Sequence, residues 1–129
     1  MSYFLYAEDD KDDADILTEI LRTHHKTCEL VCVPNGYELI RHLENVQRDA
    51  TYPCLIILDM RLPRLNGMET LQLLKTDDLY RLIPVLVFSS RLSELEEINC
   101  KALGADILAK PDSFMSWNEV IDYLGDYLD

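Results

Sequence analysis

The sequence predicts an α/β fold, with a five-stranded parallel sheet and helices on both of its faces. Short apolar segments alternate five times with segments that have the 3.6-residue period of amphipathic helices, which is typical of βα repeats. Two of the apolar segments, LIIL at 55–58 and VLVF at 85–88, contain no polar residue. Such runs are typical of strands that are buried on both faces of a parallel sheet.

The five predicted strands are short apolar segments bounded by polar or turn-forming residues. In chain order they are Tyr3–Ala7, Glu29–Val33, 54–58, 85–88 and 106–108.

The five predicted helices each carry one mainly apolar face that we expect to pack against the sheet. The second helix is expected to start after Gly36. The fourth is expected to start at Ser93, because Ser93 and Glu96 have the spacing of a capping box. In chain order the five faces consist of Leu17, Ile20, Leu21 and His24; of Leu39, Ile40, Leu43 and Val46; of Leu71 and Leu74; of Leu92, Leu95, Asn99 and Leu103; and of Trp117, Ile121, Leu124 and Leu128.

The composition indicates one globular domain over residues 1–129, with 48% hydrophobic and 28% charged residues. The formal net charge of −12 repels nucleic acids and anionic membranes, so we expect neither as a partner. No apolar run reaches the roughly 18 residues of a membrane span. The first residues do not resemble a signal peptide, which predicts a cytoplasmic protein.

Four cysteines lack any metal-binding spacing and are predicted to be buried free thiols: Cys28, Cys32, Cys54 and Cys100.

Polar residues that can carry chemistry stand at the ends of four predicted strands. They are Glu8 and Asp9 after the first strand, Asp59 after the third, Ser89 after the fourth and Lys110 after the fifth. In an open α/β sheet, functional groups gather at the carboxyl ends of the strands, so we expect these side chains to meet. Three carboxylates suit Mg²⁺, and a hydroxyl suits a phosphoryl oxygen, whereas an ammonium group can pair either with one carboxylate or with a phosphoryl oxygen. The set predicts an aspartate that attacks phosphorus and becomes an aspartyl phosphate.

The other acids in the segment EDDKDDAD at 8–15 have simpler explanations. Asp10 is a further candidate metal ligand. Asp12, Asp13 and Asp15 are expected to lie in the first turn of a helix, where the helix dipole favours them. An EF-hand calcium loop is excluded, because Asp13 stands where that loop requires glycine.

Five stretches, taken in order, resemble the response-regulator receiver domain of two-component signalling, the CheY-like family. They are FLYAEDD, VPNGYELIRHL, CLIILDMRLPRLNGMETLQLLK, IPVLVFSS and GADILAKP, which together extend over nearly the full chain. The third is the most specific, because it joins an apolar strand to Asp59 and then to Leu62-Pro63 and Asn66-Gly67. The resemblance implies a flavodoxin-like, doubly wound sheet with the strand order 2-1-3-4-5.

The resemblance also implies a role for each site residue. Asp59 would accept a phosphoryl group from a phosphohistidine on a sensor histidine kinase or a histidine phosphotransfer protein. Ser89 would contact that group, and Lys110 would be the lysine of the family motif. The implied cofactor is Mg²⁺ or Mn²⁺, held by Glu8, Asp9, Asp59 and the backbone carbonyl of Arg61. Such a protein is not an enzyme with a separate substrate, although it assists its own phosphorylation and dephosphorylation. It would be a stand-alone regulator that acts by binding a downstream protein or by phosphorelay.

Two features depart from the family pattern. Ile107 lies three residues before the lysine, where the family often has a Tyr or Phe that reports phosphorylation by moving, and the segment 104–110 is one residue short. Arg61 and Arg91 stand two positions after the phosphoacceptor and the site serine, where the family tunes the lifetime of the phosphoryl group.

Without the aromatic switch, we expect the signal to pass from Ser89 to the fourth helix. It would change partner binding, or dimerisation with a second copy, at the face formed by the fourth helix, the fifth strand and the fifth helix. Tyr123 and Tyr127 give this face an aromatic edge, although their place beside the apolar stripe of the fifth helix also predicts simple partial burial.

Two other functions compete with the phosphoacceptor. A flavin-binding electron carrier can share the fold, but it needs a phosphate cradle after the first strand, where this chain has the acidic segment AEDDKDD. A receiver-like scaffold that binds partners without being phosphorylated is the third hypothesis. A Mg²⁺-dependent phosphorylation assay separates it from the first.

Overall fold

The computed structural model describes residues 3–46, 51–111 and 117–128. The strands are β1 Tyr3–Ala7, β2 Glu29–Val33, β3 Leu55–Leu58, β4 Val85–Ser89 and β5 Asp106–Ala109. The α-helices are α1 Lys11–His24, α2 Gly36–Val46, α3 Gly67–Thr76, α4 Glu94–Ala102 and α5 Asn118–Gly125, and a short 3-10 helix spans Tyr80–Leu82. The strands form one parallel sheet in the order β2-β1-β3-β4-β5, so the predicted fold and strand order are confirmed. β3 starts one residue later than predicted, and β4 and β5 each end one residue later.

The register of the strands brings their carboxyl ends to one edge of the sheet. Ala7 pairs with Val33 on one side and with Leu58 on the other, and Ser89 pairs with Ala109. Because parallel neighbours advance in step, the residues that follow β1, β3 and β5 lie close to the last residue of β4. This edge is the one that carries the predicted site.

Buried side chains fill two cores, one on each face of the sheet. Helices α2, α3 and α4 cover one face, to which they contribute Leu39, Leu71 and Cys100. Helices α1 and α5 cover the other face, where Trp117 packs edge-on against Phe88 with ring centroids 5.7 Å apart. Burial of both faces accounts for the purely apolar strands. The doubly wound arrangement and the core position of Trp117 are confirmed.

Polar side chains set the starts of two helices. The Oδ1 atom of Asn35 accepts a hydrogen bond from the backbone N–H of Glu38 at 2.8 Å, so α2 begins at Gly36 rather than after it. At α4 the predicted capping box is present. The Ser93 hydroxyl accepts from the N–H of Glu96 at 3.1 Å, and the Glu96 carboxylate accepts from the N–H of Ser93 at 3.0 Å.

The packing of α4 differs from the prediction. Leu95 and Asn99, expected to face the sheet, are exposed, and the buried residue of this helix is Cys100. The reason is that α4 lies against β5, an edge strand, so that only one side of the helix has chain to pack on. His24 is also exposed, contrary to the prediction, because it is the last residue of α1.

The cysteines are free thiols, as predicted, but they are not all buried. Cys100 is buried, Cys28 and Cys54 are half-buried, and Cys32 is exposed. Cys32 lies on β2, an edge strand that its neighbours cover incompletely. None of the helices in the described part of the chain combines the length and hydropathy needed for a transmembrane span.

Candidate functional site

An acidic cavity of about 340 Å³ lies at the carboxyl edge of the sheet. Its walls come from the turns after β1, β3, β4 and β5 and from the first turn of α1. All the residues predicted for the site line this cavity: Glu8, Asp9, Asp59, Arg61, Ser89 and Lys110. The structure therefore brings together side chains that are up to 102 positions apart in the chain. Their chemical roles stay predictions.

Asp59 is buried and both of its carboxylate oxygens accept hydrogen bonds. Oδ1 accepts from the backbone N–H of Arg61 at 2.8 Å and from the Ser89 hydroxyl at 3.2 Å. Oδ2 accepts from the ammonium group of Lys110 at 2.6 Å. Burial by itself would raise the pKa of Asp59, but the Arg61 N–H and Lys110 outweigh burial and lower it. Asp59 is thus held ionised, as a nucleophilic carboxylate must be.

Glu8 is the second buried carboxylate, at 5% exposure, and it lies beside Asp59. The Tyr6 hydroxyl donates to its Oε1 atom at 3.0 Å, Lys110 donates to the same oxygen, and the N–H of Asp10 donates to Oε2 at 3.3 Å. Burial, together with the negative charge of Asp59, raises the pKa of Glu8 to about 7 despite the contact with Lys110. Of the two neighbouring acids, Glu8 is therefore the one whose ionised form is destabilised.

Lys110 contacts three carboxylates. Besides Glu8 and Asp59, its ammonium group donates to Oδ2 of Asp13 at 2.9 Å. Burial alone would lower the pKa of Lys110, but these partners raise it above its ordinary value, so the lysine stays charged. The cavity is therefore lined by an ion cluster, in which the Lys110 ammonium group contacts three carboxylates.

The contact of Asp13 with Lys110 was missed by the sequence analysis, which treated Asp13 as a first-turn acid. Asp13 is the third residue of α1, and side chains there point back toward the helix start and the cavity. Its place in the helix that leaves the site was the signal that could have identified it. Asp12 lies in the first turn as predicted, whereas Asp15 lies beyond it.

The other two acids after β1 differ from Glu8 in burial. Asp9 is exposed and lines the cavity. Asp10, the further candidate ligand, is the N-cap of α1: its Oδ1 accepts from the N–H groups of Asp12 at 2.9 Å and Asp13 at 3.3 Å. Asp10 thus has a structural role that accounts for its conformation.

The donor chemistry of the cavity fits a hard divalent cation. Glu8, Asp9 and Asp59 supply carboxylate oxygens, which are the ligands that Mg²⁺ and Mn²⁺ prefer. Over residues 3–46, 51–111 and 117–128, however, no three His, Cys, Asp or Glu side chains are arranged around a common point that could hold a metal ion. In this structure the Lys110 ammonium group is the cation that Glu8 and Asp59 share.

Arg61 links the cavity to helix α4. Its guanidinium makes a bidentate salt bridge to Glu96, with Nη1–Oε2 and Nη2–Oε1 distances of 2.6 and 2.8 Å. Nη2 also approaches the carbonyl oxygen of Arg91 at 3.4 Å. This bridge lowers the pKa of Glu96 to about 2. The sequence analysis missed the pair, because 35 positions separate the partners.

Ile107 is half-buried on β5 and borders a second cavity, of about 280 Å³, beneath the start of α4. Ser89, Ser90 and Arg91 line this cavity as well as the acidic one. The loop between β4 and α4 thus lies between the two cavities.

Comparison with known proteins shows the family of the chain. The sequence model of the response regulator receiver domain matches residues 4–121. Response regulator Rcp1 from Synechocystis sp. is 30% identical over 92 residues, which make up 70% of this chain and 63% of Rcp1. The chain spans less than two-thirds of the length of the first curated relatives that it matches.

Two solved structures share the fold over nearly its full extent. The phosphorylated cyanobacterial phytochrome response regulator RcpA has a TM-score of 0.87 and 26% identity, and the match covers 98% of this chain and 92% of RcpA. The Mn²⁺-bound form of Rcp1 has a TM-score of 0.86 and 25% identity, with 98% and 93% of the two chains covered. Fold, carboxyl-edge cavity and family match agree, and the chain belongs to the response regulator receiver domains, the phosphoacceptor modules of two-component signalling.

Proposed function

We propose that residues 1–129 form a receiver domain that accepts a phosphoryl group on Asp59 in a reaction that needs Mg²⁺ or Mn²⁺. Receiver domains are phosphorylated by histidine kinases or histidine phosphotransfer proteins, and we propose one of these as the donor. The observation that carries the proposal is the setting of Asp59, a buried, ionised carboxylate with Ser89 and Lys110 both hydrogen-bonded to it.

The reaction is a displacement at phosphorus. A carboxylate oxygen of Asp59 forms a bond to phosphorus as the P–N bond of the phosphohistidine breaks, and the electron pair of that bond leaves with the imidazole nitrogen. The Lys110 ammonium and the Ser89 hydroxyl, which already donate to Asp59, would stabilise charge on the phosphoryl oxygens.

The cation would be held by Glu8, Asp9, Asp59 and the backbone carbonyl of Arg61. Bound there, a divalent cation would neutralise part of the negative charge of the phosphoryl group. The similarity to a Mn²⁺-bound response regulator supports this assignment. Glu8 and Asp9 bind and orient, and take no part in bond making.

We further propose that phosphorylation acts on a partner, either a downstream protein, a relay protein or a second copy of the chain. The face formed by α4, β5 and α5 is the candidate surface. On it, Leu95 and Ile98 are 67% and 62% exposed. The Tyr123 hydroxyl donates to Asp106 at 2.7 Å and lies 3.1 Å from the Tyr127 hydroxyl, which ties α5 to β5. Exposed apolar side chains beside half-buried aromatic ones favour protein contacts.

The decisive experiment is the intact mass of the protein after incubation with acetyl phosphate and Mg²⁺. We expect one phosphoryl group per chain, and none when a chelator replaces Mg²⁺. Asp59→Asn should abolish uptake. Asp78→Asn, the same change at an exposed acid beside the 3-10 helix, should leave it unchanged. Uptake by Asp59→Asn at the wild-type rate would reject Asp59 as the acceptor. No uptake by the wild type would favour the scaffold that acts without phosphorylation.

A further inference from the structure

The carboxylate of Glu96 takes part in two sets of contacts, the capping box of α4 and a salt bridge to Arg61. It completes the capping box of α4 by accepting from the N–H of Ser93 at 3.0 Å. It also accepts both arms of the Arg61 guanidinium, at 2.6 and 2.8 Å. The start of α4 is therefore tied to the residue that lies two positions after Asp59.

Arg61 is placed to respond to a change of charge on Asp59. Its backbone N–H already donates to Oδ1 of Asp59 at 2.8 Å, and the residue lines the acidic cavity. Its side chain is 60% exposed, so no packing holds the guanidinium on Glu96. A phosphoryl group brings a charge of about −2 and further acceptor oxygens to the site. Arginine binds such oxygens in bidentate fashion, as it binds a carboxylate.

We propose that the guanidinium of Arg61 exchanges between Glu96 and a phosphoryl group on Asp59, and that this exchange carries the signal from the site to α4. The inference rests on the proposed function and names its regulation. When Arg61 leaves Glu96, it also leaves the carbonyl oxygen of Arg91, which it approaches at 3.4 Å. The loop between β4 and α4 then loses its contact with Arg61 through Arg91, and the first turn of α4 loses its contact through Glu96.

The surroundings of this loop give it room to move. The cavity of about 280 Å³ beside Ile107 is bordered by Ser90, Arg91 and Leu92, which belong to the loop. Leu92 is half-buried there. A rearrangement of the loop can therefore fill space that already exists, without opening the core. The exchange supplies a route to α4 that needs no aromatic residue at position 107.

The test compares variants in the affinity for beryllium trifluoride, a phosphoryl analogue, in the presence of Mg²⁺ and measured by calorimetry. Glu96→Gln removes the charge that competes for Arg61. It keeps the capping box, because glutamine is also accepted at this helix position. We expect the affinity to rise about fivefold or more, the lower end of typical coupling between sites. Glu94→Gln is the matched control, because Glu94 is an exposed acid in the same helical turn. It should change the affinity by at most about twofold, as expected for a screened surface charge.

Two further measurements connect the effect to Arg61. In the background of Arg61→Ala, Glu96→Gln should no longer raise the affinity. In the wild type, the side-chain Nε–H NMR signal of Arg61 should shift when the analogue saturates the site, together with the amide signal of Glu96. Neither shift is expected if the salt bridge is only structural.

The outcomes separate the exchange from the proposed function. Equal effects of Glu96→Gln and Glu94→Gln, or an Arg61 signal that stays in place at saturation, would overturn the exchange while leaving Asp59 as the phosphoacceptor. Failure of the wild type to bind the analogue with Mg²⁺ would overturn the proposed function, and the exchange with it.

Discussion

Replacement of Glu8 by glutamine should make the metal-free protein more stable at neutral and alkaline pH. Like charges on Glu8 and Asp59 repel, and the structure indicates which of the two acids bears the cost. The Arg61 N–H and Lys110 keep the pKa of Asp59 below its ordinary value, whereas burial raises the pKa of Glu8 from 4.5 to about 7. Ionised Glu8 is therefore the unfavourable group.

The magnitude follows from linkage between protonation and folding. Between pH 4.5 and about 7 the folded protein binds a proton at Glu8 that the unfolded chain has lost, so stability falls as pH rises through this range. Each pKa unit is worth about 1.4 kcal/mol, which gives a loss of about 3 kcal/mol when the titration is complete. Glu8→Gln removes this pH dependence. Its free energy of unfolding, relative to the wild type, should increase by about 3 kcal/mol between pH 4.5 and pH 8.

Urea denaturation at several pH values between 4.5 and 8, in buffer containing a chelator, measures the effect. Glu44→Gln, the same change at an exposed acid of α2, is the matched control and should follow the wild type at every pH. Parallel pH profiles for Glu8→Gln and the wild type would contradict this prediction, because a constant offset between them reports only altered hydrogen bonds to Tyr6 and Lys110.

Three further predictions concern the site and its supports. Mg²⁺ at ten times its Kd should stabilise the fold by about 1.4 kcal/mol, visible as a rise in melting temperature that the chelator reverses. Gly36→Ala should destabilise the protein by about 1–3 kcal/mol in urea denaturation, because a Cβ atom there would lie 1.9 Å from Oγ1 of Thr70 and 2.4 Å from the carbonyl oxygen of Leu65. Ser93→Ala removes one half of the α4 capping box and should cost about 1 kcal/mol; an unchanged melting temperature would show that the remaining contacts of Glu96, with the N–H of residue 93 and with Arg61, are enough to hold the start of α4.

Several parts of the fold could be predicted because they depend on residues close together in the chain. The capping box of α4 needs only Ser93 and Glu96 three positions apart, and it is present. Runs such as LIIL at 55–58 have no polar face, so they had to be buried on both sides. Parallel strands joined by helices bring their carboxyl ends to one edge, which is why Asp59, Ser89 and Lys110 could be assigned to one site.

The packing of α4 could not be predicted from its own sequence. The stripe through Leu95 and Asn99 has the correct helical period, yet Cys100 is the residue of this helix that reaches the core. Which side of a helix is buried depends on its neighbours, and α4 has an edge strand beneath it. The exposure of Cys32 on β2 has the same origin.

Within the site, the residues that converge could be predicted, because strand ends and residue types are local properties of the chain. How their charges are shared depends on contacts that exist only in the folded protein. Lys110 and Asp13 are 97 positions apart and Arg61 and Glu96 are 35 apart, so no spacing rule connects either pair. The stability of ionised Asp59, the raised pKa of Glu8 and the link to α4 all follow from these contacts. Electrostatic energies depend on distance and burial in three dimensions, and the order of residues in the chain does not contain them.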